Sequence, residues 1–159
     1  FDFINFMITP KKFNQLFPLA CQWAIKQETL ILETGISLDK NQQMDASQIG
    51  IQAIKKIRLL RVEQIPKPPI PELKEVAEYI GLLSPNTVGI TFRYGIYIRS
   101  DFWNQRRLVV HELTHTLQYE RLGGIQAFHK QYLNECITLG YQNSPLELEA
   151  RNMEQTICN

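Results

Sequence analysis

The chain has 159 residues, 44% of them hydrophobic and 21% charged. That is the size and composition of one ordinary globular domain and excludes a disordered segment. Lys plus Arg number 17 against 16 Asp plus Glu, a net charge of +1, and so even a balance argues against a nucleic-acid grip or a polybasic membrane anchor. No apolar run approaches the roughly 18–20 residues of a membrane span.

The first residue is Phe1 and not Met, from which an upstream segment, a signal or an anchor among the options, is expected to have been removed. The stretch Phe1–Ile8 is apolar but has no basic flank and no small-residue cleavage site. Thr9-Pro10 then opens a helix, with Thr as the cap and Pro at the first helical position. Phe13, Leu16, Phe17, Ala20, Trp23, Ala24 and Ile31 recur at spacings of three, four and seven, which is one buried face. Pro18 is expected to kink this helix and Gly35 to end it. Asp39–Gln43 reads as a turn or helix start, and a short helix is expected near Asp45–Gly50.

Lys56–Ile65 reads as a strand that Pro66, Pro68, Pro69 and Pro71 stop sharply. The prolines make a stiff connector and not a domain linker. Pro71–Leu83 reads as a helix and Pro85-Asn86 as a turn. Val88–Phe92 and Gly95–Ile98, rich in β-branched and aromatic residues around Arg93-Tyr94, read as a tight hairpin. Trp103–Tyr119, Ile125–Leu139 and Pro145 to about Ile157 read as helices, separated by Gly123-Gly124 and by Gly140. Three widely spaced cysteines, Cys21, Cys136 and Cys158, form no disulfide framework and no Cys-x-x-Cys pair, and are expected to be buried thiols. The reading is α+β: a mainly helical single domain with a small sheet of about three strands. It divides into an N-terminal helical part (1–55), a small sheet and helix (56–99) and a final set of helices (100–159).

That final set carries the one sharp motif, His111-Glu112-Leu113-Thr114-His115. Residues i and i+4 share one face of a helix, so two imidazoles at this spacing can hold one Zn²⁺ at about 2.0–2.1 Å each. Glu112, beside the first histidine, then stands within reach of a water at the metal and can take its proton. A catalytic zinc keeps three protein ligands and an open position. The third histidine, His129, lies in no motif and is expected to be a plain surface residue. The acids of the last helix are better candidates. Glu147 and Glu149 point about 160° apart at 100° per residue, so at most one of them faces the metal. Ala150 is small enough to let that helix pack closely on the zinc helix.

His-Glu-x-x-His followed by a helix bearing Glu147-Leu148-Glu149-Ala150 resembles the gluzincin metallopeptidases, whose second motif is Glu-x-x-Ala-Asp or a close variant. The segment from His111 through Gln118–Gly124 to Pro145–Ala150 is also similar to small bacterial zincin-like domains. The resemblance covers about Thr87–Met153. It implies a zincin-like active-site helix and Zn²⁺ held by His111, His115 and Glu147, with Glu112 as general base. Arg151 stands where the family often has an aspartate that orients the first histidine, which leaves that role without an assigned residue.

The expected function is zinc-dependent hydrolysis of peptide bonds in an undetermined peptide or protein substrate. Tyr141, between the two ligand-bearing segments, is the candidate for stabilising the oxyanion, with Tyr94 and Tyr97 as alternatives. The hairpin is expected to offer an open strand edge to an extended peptide. Two other readings compete: a zinc-binding or regulatory module on an inactive peptidase scaffold, and a helical interaction domain whose motif is coincidental. Trp23, Trp103 and the phenylalanines read as core and not as a specificity pocket.

Overall fold

The computed structural model describes residues 8–159; of the apolar opening stretch, only Ile8 falls among them. The elements are α1 (Pro10–Thr34), β1 (Ile36–Ser37), α2 (Lys40–Ile49), β2 (Arg58–Val62), α3 (Pro71–Tyr79), β3 (Gly89–Phe92), β4 (Gly95–Arg99), α4 (Arg106–Leu122), α5 (Ile125–Leu139) and α6 (Pro145–Cys158). Short 3-10 turns occupy Ile54–Lys56, Ser100–Phe102 and Tyr141–Asn143. The fold is α+β and mainly helical. No helix among the described residues is long and apolar enough to cross a membrane.

Local chemistry sets the helix ends. The Thr9 hydroxyl accepts from the Lys12 amide at 3.1 Å, and Pro10 follows it as the first helical residue, as expected. Asp39 caps α2 in a full capping box with Gln42, which merges the expected turn and short helix into one element. The strand expected at Lys56–Ile65 spans only Arg58–Val62, with Lys56 closing a 3-10 turn before it. Helix α4 starts at Arg106 and not at Trp103, with Gln105 as its N-cap and a 3-10 turn at residues 100–102 before it.

The sheet has four strands in the order β1-β2-β4-β3, one more than the sequence reading. The extra strand is the two-residue β1, which pairs antiparallel with β2 and is too short to show an alternating pattern. β2 and β4 run parallel, with Leu59 opposite Ile96. β3 and β4 form the expected hairpin, with Ile90 opposite Tyr97 and Phe92 opposite Gly95.

The sheet separates two apolar cores. Leu59, Ile96 and Ile98 face Val109, Val110 and Leu113 of α4. Phe92 and Tyr97 belong to the other core, with Ala24 and Ile31 of α1 and Phe128 of α5. Cys21 and Cys136 are buried and Cys158 is half-buried, all as free thiols.

The hairpin is held from both sides. Arg93 is the only described non-glycine residue in the left-handed region, with φ of 57°. Its guanidinium donates twice to the buried Glu28 of α1, at 2.9 and 2.7 Å. The Tyr94 amide donates to the same carboxylate at 2.9 Å, and the Arg93 carbonyl accepts from Thr116 of α4 at 2.7 Å. One carboxylate and one hydroxyl thus tie the turn to the two helices that flank the site.

Candidate metal centre

Helix α4 places His111 and His115 on one face, and α6 lies against it. Ala150 is fully buried, so α6 approaches closely, as its small side chain allows. The Ser144 hydroxyl caps α6 at the Glu147 amide. The Glu147 carboxylate then bridges the two histidines: Oε2 lies 2.9 Å from His111 Nε2 and Oε1 lies 3.3 Å from His115 Nε2. Tyr132 of α5 donates to the same Oε1 at 2.7 Å. The cluster opens to solvent at His111, whose side chain is 14% exposed, against 7% for His115 and 2% for Glu147.

The outer ring nitrogens identify the tautomers. His111 Nδ1 lies 3.1 Å from Glu154 Oε2, and a carboxylate there accepts a proton from the ring. His115 Nδ1 lies 2.8 Å from Gln118 Oε1. The Gln118 amide nitrogen donates to the Leu146 carbonyl at 2.9 Å and to Glu149 at 2.6 Å, so its oxygen must face the histidine. Both Nδ1 atoms therefore carry hydrogens, and both Nε2 lone pairs point at the carboxylate. Two imidazole lone pairs and a carboxylate converging on one point repel one another unless a cation or a pair of protons lies between them.

The electrostatics agree. Burial works against the charged form of His111, but the hydrogen bond to Glu147 and the charges of Glu112 and Glu147 outweigh it and lift its pKa to about 9. His115 is raised in the same way, burial opposing and Glu147 prevailing. Burial likewise opposes ionisation of Glu147, but the two histidines hold its carboxyl well below the usual carboxylate range. Two nitrogens and one carboxylate oxygen, with the outer nitrogens anchored, are the donor set and surroundings that fit Zn²⁺.

Glu112 sits one residue round the helix from His111 and points toward β3. The Thr91 hydroxyl lies 2.9 Å from its Oε1 and 3.0 Å from its backbone oxygen. Ligand atoms of His111, Glu112 and His115 all lie within 4.8 Å of one another. Burial raises the Glu112 carboxyl pKa, and the two histidines partly offset this. Gly89 makes room for it: a Cβ there would stand 3.2 Å from Glu112 Cγ and 3.2 Å from a Leu108 methyl.

The sequence-derived residues separate clearly. His111, Glu112, His115 and Glu147 come together, while Glu149 turns away to pair with Arg121 at 2.9 Å. Tyr141 lines the same cavity as Glu112, His115 and Glu147, and burial together with the nearby Glu147 charge raises its hydroxyl pKa. Tyr94 and Tyr97 do not take part, because their hydroxyls are spent on Glu120 at 2.9 Å and on Gln27 at 2.7 Å.

Three expectations are corrected. His129 is not a plain surface residue: its Nε2 bonds the Tyr119 hydroxyl at 3.0 Å, its Nδ1 is shut off from solvent without a partner, and burial lowers its pKa to about 4. The β3 edge is only partly open. Arg99 N–H pairs with the Val88 carbonyl, so alternation turns Gly89 and Thr91 outward, but the Thr91 carbonyl already accepts from Tyr119 at 3.1 Å. Trp23 is not only core, because it lines the cavity that ends at the metal cluster.

Tyr132, Gln118 and Glu154 escaped the sequence reading. Glu154 lies two turns after Glu147 on the same helix face, a spacing that could have revealed it. Arg151, in the family's aspartate position, instead donates to the Gln142 carbonyl. No protein-family model, curated protein or solved structure matches the chain.

Proposed function

We propose that the protein is a zinc-dependent hydrolase of peptide-type amide bonds, built on the gluzincin pattern. The observation that carries this reading is the pair of anchored imidazoles whose Nε2 lone pairs converge with the Glu147 carboxylate. His111, His115 and Glu147 would hold the metal, which when bound polarises a carbonyl and makes water a nucleophile at neutral pH. The protein's own groups do the rest. Glu112, poised by the Thr91 hydroxyl and by burial, takes a proton from water and passes it to the leaving amine. The Tyr141 hydroxyl, kept protonated, donates to the oxygen on which negative charge develops.

Arg151, where gluzincins often carry an aspartate, speaks for an inactive scaffold. Glu154 supplies a carboxylate at the same histidine, which weakens that ground. Glu112→Gln separates the two readings. It is expected to keep its zinc and to lose hydrolysis of a mixed peptide library by at least about 100-fold, the usual scale of a general base. Hydrolysis unchanged in that variant would remove Glu112 from the chemistry.

A further inference from the structure

A cavity of about 120 Å³ runs from the metal cluster into the apolar interior. Among the described residues, Glu112, His115, Glu147 and Tyr141 line one end. Its walls are apolar and come from three helices: Leu16 and Trp23 of α1, Val76 and Ala77 of α3, Phe128 and Leu133 of α5. A water-sized atom needs about 10–15 Å³ on this measure, so the cavity has room for about ten heavy atoms. That exceeds the seven carbons of a phenylalanine side chain.

Two consecutive apolar residues would also fill this space, but they carry a peptide group. Among the described residues, His129 Nδ1 is the only buried side-chain nitrogen or oxygen of the wall without a partner, one atom for a group that has both an N–H and a C=O to satisfy. The Thr91 hydroxyl is on Glu112 and the Thr91 carbonyl on Tyr119, while Tyr119 also bonds His129 and Tyr132 bonds Glu147. Burying an unpartnered amide costs about 1–3 kcal/mol by protein mutational data. An unbranched hydrocarbon chain fills the same space with no polar group to satisfy.

We infer that the cavity is an acyl-chain site, and that the substrate is an amine acylated with a chain of about eight to ten carbons. The inference rests on the amide-hydrolase reading for what happens at the cluster, but the binding site stands apart from it. With the acyl carbonyl at the cluster, its chain lies in the cavity and the amine part faces outward past His111. Hydrolysis then breaks the C–N bond and forms a C–O bond to the oxygen of water. Both water protons end on the nitrogen: one passes through Glu112 as the C–N bond breaks, and the second leaves the new carboxylic acid, so the products are a fatty carboxylate and a protonated amine, with no oxidant or reductant consumed.

The test is calorimetric binding of N-acyl-glycinamides, acetyl to dodecanoyl, to zinc-loaded Glu112→Gln protein and to its metal-free form. Affinity is expected to rise about fourfold per added methylene, to level off near ten carbons, and to do so with or without zinc. Ala20→Phe and Ala77→Phe, which fill the cavity wall from α1 and α3, are expected to move the plateau to shorter chains. Affinity indifferent to chain length, or an unacylated Phe-Leu amide binding as tightly as the decanoyl compound, would overturn the inference. Chain-length-dependent binding without hydrolysis by wild type would uphold the acyl site and count against the hydrolase reading alone.

Discussion

Glu154 and Gln118 decide what the two histidines can do. Each accepts from an Nδ1–H and thereby frees the opposite nitrogen for a metal. Such partners typically account for 10- to 100-fold in metal affinity. Glu154→Ala is therefore expected to lower zinc affinity by that factor in chelator competition, while Arg151→Ala, whose side chain bonds only the Gln142 carbonyl, leaves it unchanged. The reverse ranking would return the orienting role to position 151. That at most one of Glu147 and Glu149 faces the histidines was legible from helical spacing; the choice of Glu147 came from the gluzincin resemblance, and the structure brings Glu147 to His111 and His115. Glu154 shares the Glu147 face two turns on, but its meeting with His111 Nδ1 depends on how α6 packs on α4. Tyr132 was not legible either: it lies in the buried stripe of α5 with Ile125, Phe128 and Cys136, and only the packing of α5 brings its hydroxyl to Glu147.

The β3–β4 hairpin carries Thr91 and Gly89, so its placement controls Glu112. Its turn is held in a strained conformation by Glu28. Glu28→Ala removes three charge-assisted hydrogen bonds and leaves the Tyr94 amide without that partner. A loss of about 2–4 kcal/mol in unfolding free energy is expected from denaturant titration. A loss under about 0.5 kcal/mol would mean that the turn holds itself. Gly89→Val is expected to cost about 1–3 kcal/mol by overpacking against Glu112 and Leu108, and to lower hydrolysis more than stability requires. The hairpin was legible from its β-branched and aromatic runs. The closure of its outer edge by Tyr119 was not, because it depends on where α4 crosses the sheet.

Across the whole molecule, helices α1, α3 and α5 line the apolar cavity on one side of the sheet, and α4 with α6 carries the His111, His115 and Glu147 cluster at its end. The α+β class followed from the order of helical and strand-like segments. The cavity did not, because an apolar helix face reads the same whether it meets a neighbour or an open space. His129, on the wall of this cavity, is expected to make stability pH-dependent. Its folded pKa is lowered from 6.5 to about 4 by burial, so between these values the unfolded chain binds the extra proton. Stability contributed by the neutral ring is full above pH 6.5 and falls as pH drops toward about 4. His129→Gln is expected to flatten that part of the profile of melting temperature against pH. An unaltered profile would show that the ring titrates like an exposed histidine.

The metal site is tested most directly by elemental analysis of zinc in wild type, Glu147→Ala and Glu149→Ala proteins after dialysis. The expected result is about one zinc per chain in wild type and in Glu149→Ala, and a large loss in Glu147→Ala. Zinc absent from wild type even after reconstitution, or lost from Glu149→Ala and retained by Glu147→Ala, would contradict the three-ligand site and the hydrolytic function built on it.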